Sequence, residues 1–224
     1  MSDEPQPIVI DLEDGSNVSG LVIAPPSTSA CLVLAHGAGA GMSHPSMAVI
    51  ADGLAQRGIA TFRFQFPYME KGSKRPDDPA TAHAAVRAAV AHASKIFDGT
   101  PLFAGGKSFG GRMTSQAQAS APLAGVDGLA FFGFPLHPAG KPSDDRAKHL
   151  SDVKVPMLFL QGTRDTLAEL PLLEPVVSRL GPKATLHRVE AADHSFHVPA
   201  RSGRNDREVM NDVLDAFVHW TAGL

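Results

Sequence analysis

Ala104-Gly105-Gly106-Lys107-Ser108-Phe109-Gly110-Gly111 is the stretch that decides the fold of this 224-residue chain. Gly106, Ser108 and Gly110 complete the pattern Gly-x-Ser-x-Gly, in which a serine stands on a sharp turn between a strand and a helix. Such a turn strains the backbone at the serine, so small neighbours are required on both sides. The pattern predicts a nucleophile elbow. A glycine-rich turn without a chemical role is the alternative, because the chain has 21 glycines.

The same stretch contains Gly106-Lys107-Ser108, the end of the phosphate-loop pattern Gly-x-x-x-x-Gly-Lys-Ser/Thr. The first glycine of that pattern would fall at position 101, which is Pro101. Proline has no N–H to offer a phosphate, but it is acceptable at the start of a short strand. The phosphate-loop interpretation therefore fails, and the elbow is favoured.

The neighbouring sequence supports the elbow. Pro101-Leu102-Phe103-Ala104 is typical of a short buried strand, and the segment from Phe109 to Ala119 can continue as a helix. This is the order of strand, turn and helix that the elbow requires.

Composition limits the classes of protein. The chain is 43% hydrophobic with a net charge of −3, so we expect one domain over residues 1–224 and no general attraction to nucleic acid or to an anionic membrane. Cys31 is the only cysteine, which excludes an internal disulfide and a thiolate metal cluster. The start of the chain, Met1 to Pro5, lacks a basic and apolar leader, so we expect a cytoplasmic protein.

Apolar runs alternate with helical segments along the chain. Two runs separated by Glu13-Asp14-Gly15-Ser16-Asn17 predict an N-terminal antiparallel hairpin. The strand-and-helix units that follow predict a mostly parallel sheet with helices on both faces, a three-layer α/β/α sandwich. The expected strands are Ile8–Leu12, Val18–Ala24, Leu32–Ala35, Ile59–Phe64, Leu102–Ala104, Val126–Phe132, Val155–Leu160 and Thr185–Val189, and the expected helices are Met47–Gln56, Thr81–Ile96, Phe109–Ala119 and Asp206–Thr221.

A serine nucleophile needs a histidine base that is oriented by a carboxylate, and in proteins with this elbow the chain order is serine, acid, histidine. Asp165 follows the strand Val155–Leu160, and His194 follows the last strand. We therefore predict a triad of Ser108, Asp165 and His194.

Neighbouring residues are the rivals for these roles. His197 and Asp193 lie beside His194, and Arg164 could hold Asp165 in a structural ion pair. The position after a strand favours Asp165 as the acid.

An oxyanion hole needs two backbone N–H groups. Phe109, directly after the nucleophile, supplies one, and the glycine-rich loop His36-Gly37-Ala38-Gly39-Ala40-Gly41 supplies the other. We expect Ala38 in that role, with Gly39 as the alternative, and we expect His36 to be a structural hydrogen-bonding residue. A dinucleotide loop is disfavoured because Met42 stands where Gly-x-Gly-x-x-Gly needs a glycine.

Together these residues resemble the α/β-hydrolase fold over nearly the whole chain. The segments 36–39, 63–68, 105–112 and 193–196 are similar to those of small bacterial predicted hydrolases near the dienelactone hydrolases. The resemblance implies Ser108, Asp165 and His194 as the triad, with serine in place of the cysteine of true dienelactone hydrolases, which argues against a dienelactone substrate. The group is also similar to a eukaryotic chromatin-complex subunit family, so the fold alone does not settle function.

Prolines and charges interrupt the segment from Phe134 to Asp152, where many esterases carry a helical cap, so we expect no substantial lid. We expect a small-molecule acyl substrate, cleaved through an acyl-serine intermediate without a metal or cofactor. The sequence leaves open the oligomeric state and whether Lys107, Arg112, Arg63, Tyr68 and His137 receive an anionic group or are ordinary surface charges.

Two alternative functions remain at this stage. The first is a binding or scaffold protein that keeps the fold without useful turnover, whose sign would be a missing triad residue. The second is a metal hydrolase that uses His194, His197 and Asp193.

Overall fold

The first two strands form the antiparallel edge of the sheet. The computed structural model describes residues 4–224. Strand β1 (Gln6–Asp11) pairs antiparallel with strand β2 (Asn17–Ile23). Gly15 in the connecting turn has a φ of 82°, a conformation that glycine adopts without a steric penalty. The predicted N-terminal hairpin is confirmed.

Six further strands continue this sheet within the described residues. They are β3 (Ala30–Ala35), β4 (Ile59–Phe64), β5 (Leu102–Lys107), β6 (Val126–Phe132), β7 (Met157–Gly162) and β8 (Ala184–Val189). The order across the sheet is β1-β2-β4-β3-β5-β6-β7-β8. β2 pairs antiparallel with β4, and all the later pairs are parallel. The loops that follow the parallel strands therefore meet at one edge, where ligands bind in sheets of this kind.

Helices cover both faces of the sheet. The α-helices are α1 (Pro45–Ala55), α2 (Pro67–Glu70), α3 (Pro79–Ile96), α4 (Phe109–Ser120), α5 (Leu170–Leu180) and α6 (Asp206–Thr221). Helices α1 and α6 bury their apolar side chains against one face, and α3, α4 and α5 bury theirs against the other. The predicted α/β/α sandwich is confirmed. No helix within residues 4–224 has the length and apolar character that a bilayer crossing needs.

Helices α2 and α5 have no counterpart in the sequence prediction. α5 contains Pro171 and Pro175, and prolines count against a helix because they lack an N–H. Pro171 lies in the first turn, where the N–H has no partner within the helix in any case.

Strand β7 begins later than predicted, at Met157. The carbonyl oxygen of the preceding Pro156 accepts a hydrogen bond from the N–H of Leu129, but proline has no N–H to donate.

The segment between β6 and β7 leaves the edge of the sheet open. Residues 133–156, all of them described, contain a 3-10 helix at Asp145–Asp152 and no α-helix. The predicted absence of a helical lid is confirmed.

Two glycines of β5 stand where the neighbouring strands leave no room for a side chain. A Cβ atom on Gly105 would lie 1.9 Å from the carbonyl oxygen of Ala130 on β6. A Cβ atom on Gly106 would lie 2.2 Å from the carbonyl oxygen of Ala35 on β3. Neither strand could keep its place beside a larger residue, because atoms in a protein interior are already in contact.

Gly110 continues this packing into α4. A Cβ atom there would lie 2.5 Å from the carbonyl oxygen of Ala35 and 2.6 Å from that of His36. The first turn of α4 therefore rests directly on the backbone at the end of β3.

We predict that Gly110→Ala destabilises the protein, because the added methyl group must displace the backbone of β3 or α4. The free energy of unfolding should fall by about 2–3 kcal/mol in urea denaturation. Gly223→Ala is the control. A Cβ atom at Gly223 would meet no atom closer than 3.6 Å, and this variant should stay within about 0.5 kcal/mol of the wild type. Equal stability of the two variants would contradict the close packing of α4 on β3.

Candidate active site

Ser108 stands at the junction of β5 and α4 in a strained backbone conformation. Its φ is 52° and its ψ is −115°, a region that residues with a side chain rarely occupy and that costs about 1–3 kcal/mol. The strain turns the chain sharply and presents the side chain at the carboxyl edge of the sheet. Ser108 is partly exposed there.

His194 and Asp165 complete a hydrogen-bonded chain with Ser108. Nε2 of His194 lies 2.8 Å from Oγ of Ser108, and Nδ1 lies 2.6 Å from Oδ2 of Asp165. Because a carboxylate only accepts hydrogen bonds, Nδ1 carries the proton of a neutral ring and Nε2 is left as the acceptor. The structure thus brings together the three residues that the sequence selects, with the imidazole in the tautomer that can take a proton from the serine.

Asp165 is held by two other donors. The carboxylate is buried, and its Oδ2 atom accepts a hydrogen bond of 2.5 Å from Nε2 of Gln161. Its Oδ1 atom accepts one of 2.8 Å from the N–H of Leu167. Gln161 in turn accepts a hydrogen bond from the N–H of Phe134. Sequence reasoning missed Gln161, which orients the acid and links it to the loop after β6.

Lys107 supports the loop that carries His194. Its Nζ atom donates a hydrogen bond of 2.9 Å to the carbonyl oxygen of His194 and lies 5.3 Å from the centre of the Phe196 ring, a distance suited to a cation–π contact. Burial lowers the pKa of the Lys107 ammonium, while Asp165 and Asp193 partly oppose that effect. Lys107 therefore acts on the loop and does not point into the cleft.

Two glycines leave room for the loop that carries His194. A Cβ atom on Gly133, after β6, would lie 3.3 Å from the His194 ring, and Gly133 has a φ of 75°. A Cβ atom on Gly162, at the end of β7, would lie 2.4 Å from the carbonyl oxygen of Ala192. These close contacts fix the distance between the loop and the sheet.

His197 and Asp193, the other candidates for the triad roles, and Arg164, the alternative partner of Asp165, contact groups outside the triad. The imidazole of exposed His197 pairs with Asp206, 2.9 Å away, and this contact raises the pKa of His197. Asp193 accepts hydrogen bonds from two backbone N–H groups of its own turn, those of Ser195 and His197. Arg164 reaches the carbonyl oxygen of Ala191. Within residues 4–224, no group of three or more His, Cys, Asp or Glu side chains is arranged to hold a metal ion.

The predicted oxyanion donors line the same cleft as Ser108. Ala38 and Phe109 are both at its surface. The N–H of Gly39 is already used, since it donates a hydrogen bond of 3.0 Å to the hydroxyl oxygen of Tyr68. This contact leaves Ala38 as the better placed donor of the loop.

Residues of β4 and of the segment after it contact the glycine-rich loop 36–41, which carries the proposed oxyanion donor Ala38. Nδ1 of buried His36 lies 2.8 Å from the carbonyl oxygen of Gly37, and Nε2 accepts a hydrogen bond from the N–H of Phe66. Burial lowers the pKa of His36 to about 4. Arg63 donates to the carbonyl oxygen of Met42. Both His36 and Arg63 therefore have a structural role, because their hydrogen bonds hold the glycine-rich loop in place.

The cleft beside Ser108 has a volume of about 430 Å³, within the range of small-molecule sites. The loop after β6 forms one wall. His137 in that wall is buried, and its ring contacts Glu169 at 2.5 Å and the carbonyl oxygen of Pro138 at 2.9 Å. The cleft residues are Ala38, Pro76, Asp77, Pro79, Ser108, Phe109, Arg112, Met113, Pro135, His137, Pro138, Ala139, Arg146 and Leu167.

A second serine–histidine pair has a different geometry. Oγ of Ser115 lies 2.7 Å from Nε2 of His149, but it also donates to the carbonyl oxygen of Arg112. With the single hydroxyl proton used, Ser115 can only accept from His149. Ser115 is completely buried, so this pair is structural.

A mostly parallel sheet of this strand order, with a serine elbow and a hydrogen-bonded Ser–His–Asp chain at its carboxyl edge, defines an α/β hydrolase. The comparison with protein families agrees: the model of the alpha/beta hydrolase domain matches residues 28–222. The chain belongs to this family.

Solved structures with the same fold cover almost the whole chain. A dienelactone hydrolase from Anabaena variabilis has a TM-score of 0.79 at 19% identity, covering 100% of this chain and 99% of that one. A serine hydrolase without a lid from Xanthomonas campestris has a TM-score of 0.72 at 20% identity, with 97% and 96% covered. Est1E from Butyrivibrio proteoclasticus, with ferulic acid bound, has a TM-score of 0.74 at 15% identity, with 96% and 99% covered.

The neutral His36 predicts a pH-dependent stability. The pKa of His36 is lowered from 6.5 to about 4 on folding, so below pH 6.5 the unfolded chain takes up a proton that the folded protein excludes. The free energy of unfolding should therefore decrease as the pH falls from 6.5 towards 4, by up to about 1.4 kcal/mol per pH unit from this group. Urea denaturation between pH 7 and pH 4.5 should give a shallower pH dependence for His36→Gln than for the wild type. Equal slopes would contradict a neutral, buried His36.

Proposed function

We propose that the protein is a serine hydrolase that cleaves a small ester, thioester or related acyl bond through an acyl-Ser108 intermediate. The observation that carries this proposal is the unbroken chain of contacts from Oγ of Ser108 through His194 to Asp165. A serine hydroxyl is a weak nucleophile until a base within hydrogen-bond reach accepts its proton, and Nε2 of His194 occupies that position.

In the first half of the reaction, His194 takes the proton of Ser108 as Oγ attacks the substrate carbonyl carbon. The carbonyl oxygen becomes negatively charged, and the N–H groups of Ala38 and Phe109 stabilise it. His194 then gives the proton to the leaving alcohol or thiol as the bond to it breaks. In the second half, water attacks the acyl-serine with His194 as the base, which releases the acid and restores Ser108.

Asp165 keeps His194 in the required tautomer and stabilises the imidazolium that forms during each proton transfer. The donors from Gln161 and Leu167 hold the carboxylate in place. A preorganised carboxylate need not reorient during the reaction, which lowers the barrier.

The shape of the site supports small substrates. No α-helix of segment 133–156 covers the cleft, which is bounded by loops, by α4 and by the 3-10 helix at Asp145–Asp152. The names of the similar structures point to related chemistry, since they describe a dienelactone hydrolase and a protein with bound ferulic acid. We propose a carboxylic ester or a related acyl compound as the substrate class and, because the nucleophile is a serine, not a dienelactone.

The first kinetic prediction concerns the nucleophile. Ser108→Ala should lower turnover of p-nitrophenyl acetate by at least about 10³-fold, because no other group can form the acyl-enzyme. Ser115→Ala is the matched control, since Ser115 also contacts a histidine but is buried. It should keep most of the wild-type rate. Full activity in Ser108→Ala would exclude the mechanism, and an inactive wild type would favour a binding protein that has lost turnover.

A second kinetic prediction concerns the acid. Asp165→Asn should reduce kcat by about 10³–10⁴-fold, because an amide cannot hold His194 in the reactive tautomer or stabilise its charged form. Asp193→Asn tests the rival carboxylate and should have a small effect, since the asparagine oxygen can still accept from the N–H groups of Ser195 and His197. Steady-state kinetics with p-nitrophenyl acetate measures both. A larger loss of kcat in Asp193→Asn than in Asp165→Asn would show that Asp165 is not the acid of the triad.

A further inference from the structure

Two arginines whose guanidinium groups form no hydrogen bond or ion pair with residues 4–224 face the cleft beside Ser108. Arg112 and Arg146 both line it and are both partly buried. Among residues 4–224, neither guanidinium donates a hydrogen bond or forms an ion pair, and Nε of Arg112 is a buried atom without a partner. The other arginines that are withdrawn from solvent all donate hydrogen bonds; they are Arg57, Arg63, Arg87 and Arg204. A buried donor group without an acceptor is costly, so the unpaired Nε of Arg112 needs an explanation.

The position of Arg112 in α4 makes its positive charge less favourable still. It lies in the first turn of α4, where the helix dipole is positive and favours negative charge. Its guanidinium lies 5.8 Å from the centre of the Phe109 ring, which orients the side chain beside the proposed oxyanion donor.

The charges around Arg112 are also of the same sign. Burial and the nearby positive charge of Arg146 both lower the pKa of Arg112. The pKa of His149 is lowered to about 4 by burial, with Arg112 contributing, so this neighbour is neutral near pH 7. Among the described residues, no carboxylate forms an ion pair with either arginine.

The acidic groups near the cleft have other partners. Asp77 lines it, but its Oδ2 atom accepts a hydrogen bond from the N–H of Tyr68, and the charges that act on it are those of Lys71 and Asp78. Glu169 contacts His137. The cleft is therefore positive at the α4 side, and an anion that enters it meets two free guanidinium groups.

We propose that Arg112 and Arg146 form an anion subsite that binds a carboxylate or phosphate group of the substrate, so that the enzyme prefers anionic esters to neutral ones. The inference rests on the proposed function for the bond that is cleaved. Guanidinium groups suit planar or tetrahedral oxyanions because they offer several donors in a fixed geometry. The anion supplies the acceptors that both side chains lack and offsets their positive charge.

The backbones of Arg112 and Ser108 are close together. The N–H of Arg112 donates a hydrogen bond of 3.1 Å to the carbonyl oxygen of Ser108, so the two residues are about one helical turn apart. Because Ser108, Arg112 and Arg146 line the same cleft, a short chain between the ester and the anion suits the site. The glutaryl group, with three methylenes between its carboxyl carbons, is therefore a suitable probe.

The first test compares two p-nitrophenyl esters, the glutarate monoester and the neutral valerate. The ratio of kcat/KM for glutarate over valerate should exceed about 10 in the wild type and fall towards one in Arg112→Met and Arg146→Met, since each charge-assisted contact is worth a factor of about 10–100. Methionine keeps a long apolar side chain in contact with the cleft. Arg201→Met removes an exposed arginine outside the cleft and should keep the wild-type ratio. An unchanged ratio in both cleft variants would overturn the proposal.

The second test measures binding without turnover. Glutaramate, which carries a carboxylate and an unreactive amide, is titrated into the wild type by calorimetry, with neutral pentanamide and inorganic phosphate as comparison probes. Glutaramate should bind at least about 10-fold more tightly than pentanamide, and each cleft variant should weaken it by about 10–100-fold. Stronger binding of phosphate would point to a phosphorylated substrate.

The binding test separates this proposal from the proposed hydrolase. If the wild type cleaves no ester but binds glutaramate or phosphate through the arginines, the hydrolase proposal fails and the anion subsite stands. If it cleaves esters but binds neither anion, the anion subsite is wrong. Circular dichroism should show wild-type folding for both variants, because neither guanidinium holds another part of the chain.

Discussion

The close packing of backbone around the β5–α4 junction is the constraint on which the rest of the structure depends. Gly105 and Gly106 bring β5 against β6 and β3, and Gly110 brings α4 against the end of β3. This close packing holds Ser108 in the strained backbone conformation that turns the chain and exposes the hydroxyl group. The same contact places the first turn of α4 beside the glycine-rich loop 36–41, so the proposed nucleophile and both proposed oxyanion donors share one support.

The residues of the proposed triad could be predicted because each follows a strand of the parallel part of the sheet. Parallel pairing brings the carboxyl ends of β5 and β7 and the loop after β8 to one edge, and so Ser108, Asp165 and His194 can meet although they are far apart in sequence. The elbow pattern and the chain order of the triad supply the remaining information. The sheet, its hairpin and the open segment after β6 are predictable for the same reason, since each depends on local patterns of apolar residues, glycines and prolines.

The supporting contacts could not be predicted, because they depend on distances between side chains and distant backbone groups. Nothing in the run Phe159-Leu160-Gln161 indicates that Gln161 contacts both Asp165 and the loop after β6. The sequence also does not show that the ammonium group of Lys107 donates a hydrogen bond to the carbonyl oxygen of His194. Helix α5 escapes prediction because Pro171 is harmless only at its observed position in the first turn. That Arg112 and Arg146 form no ion pair with any carboxylate of residues 4–224 likewise becomes visible only in the folded chain.

Reaction with a fluorophosphonate probe tests the central claim most directly, because the probe is attacked only by a serine whose proton is removed by a neighbouring base. Intact-protein mass spectrometry and peptide mapping should show one adduct, on Ser108. The labelling rate should fall by at least about 100-fold in His194→Ala, since general-base catalysis contributes about that much or more. No adduct on the folded wild-type protein, or an adduct on another serine, would contradict the account.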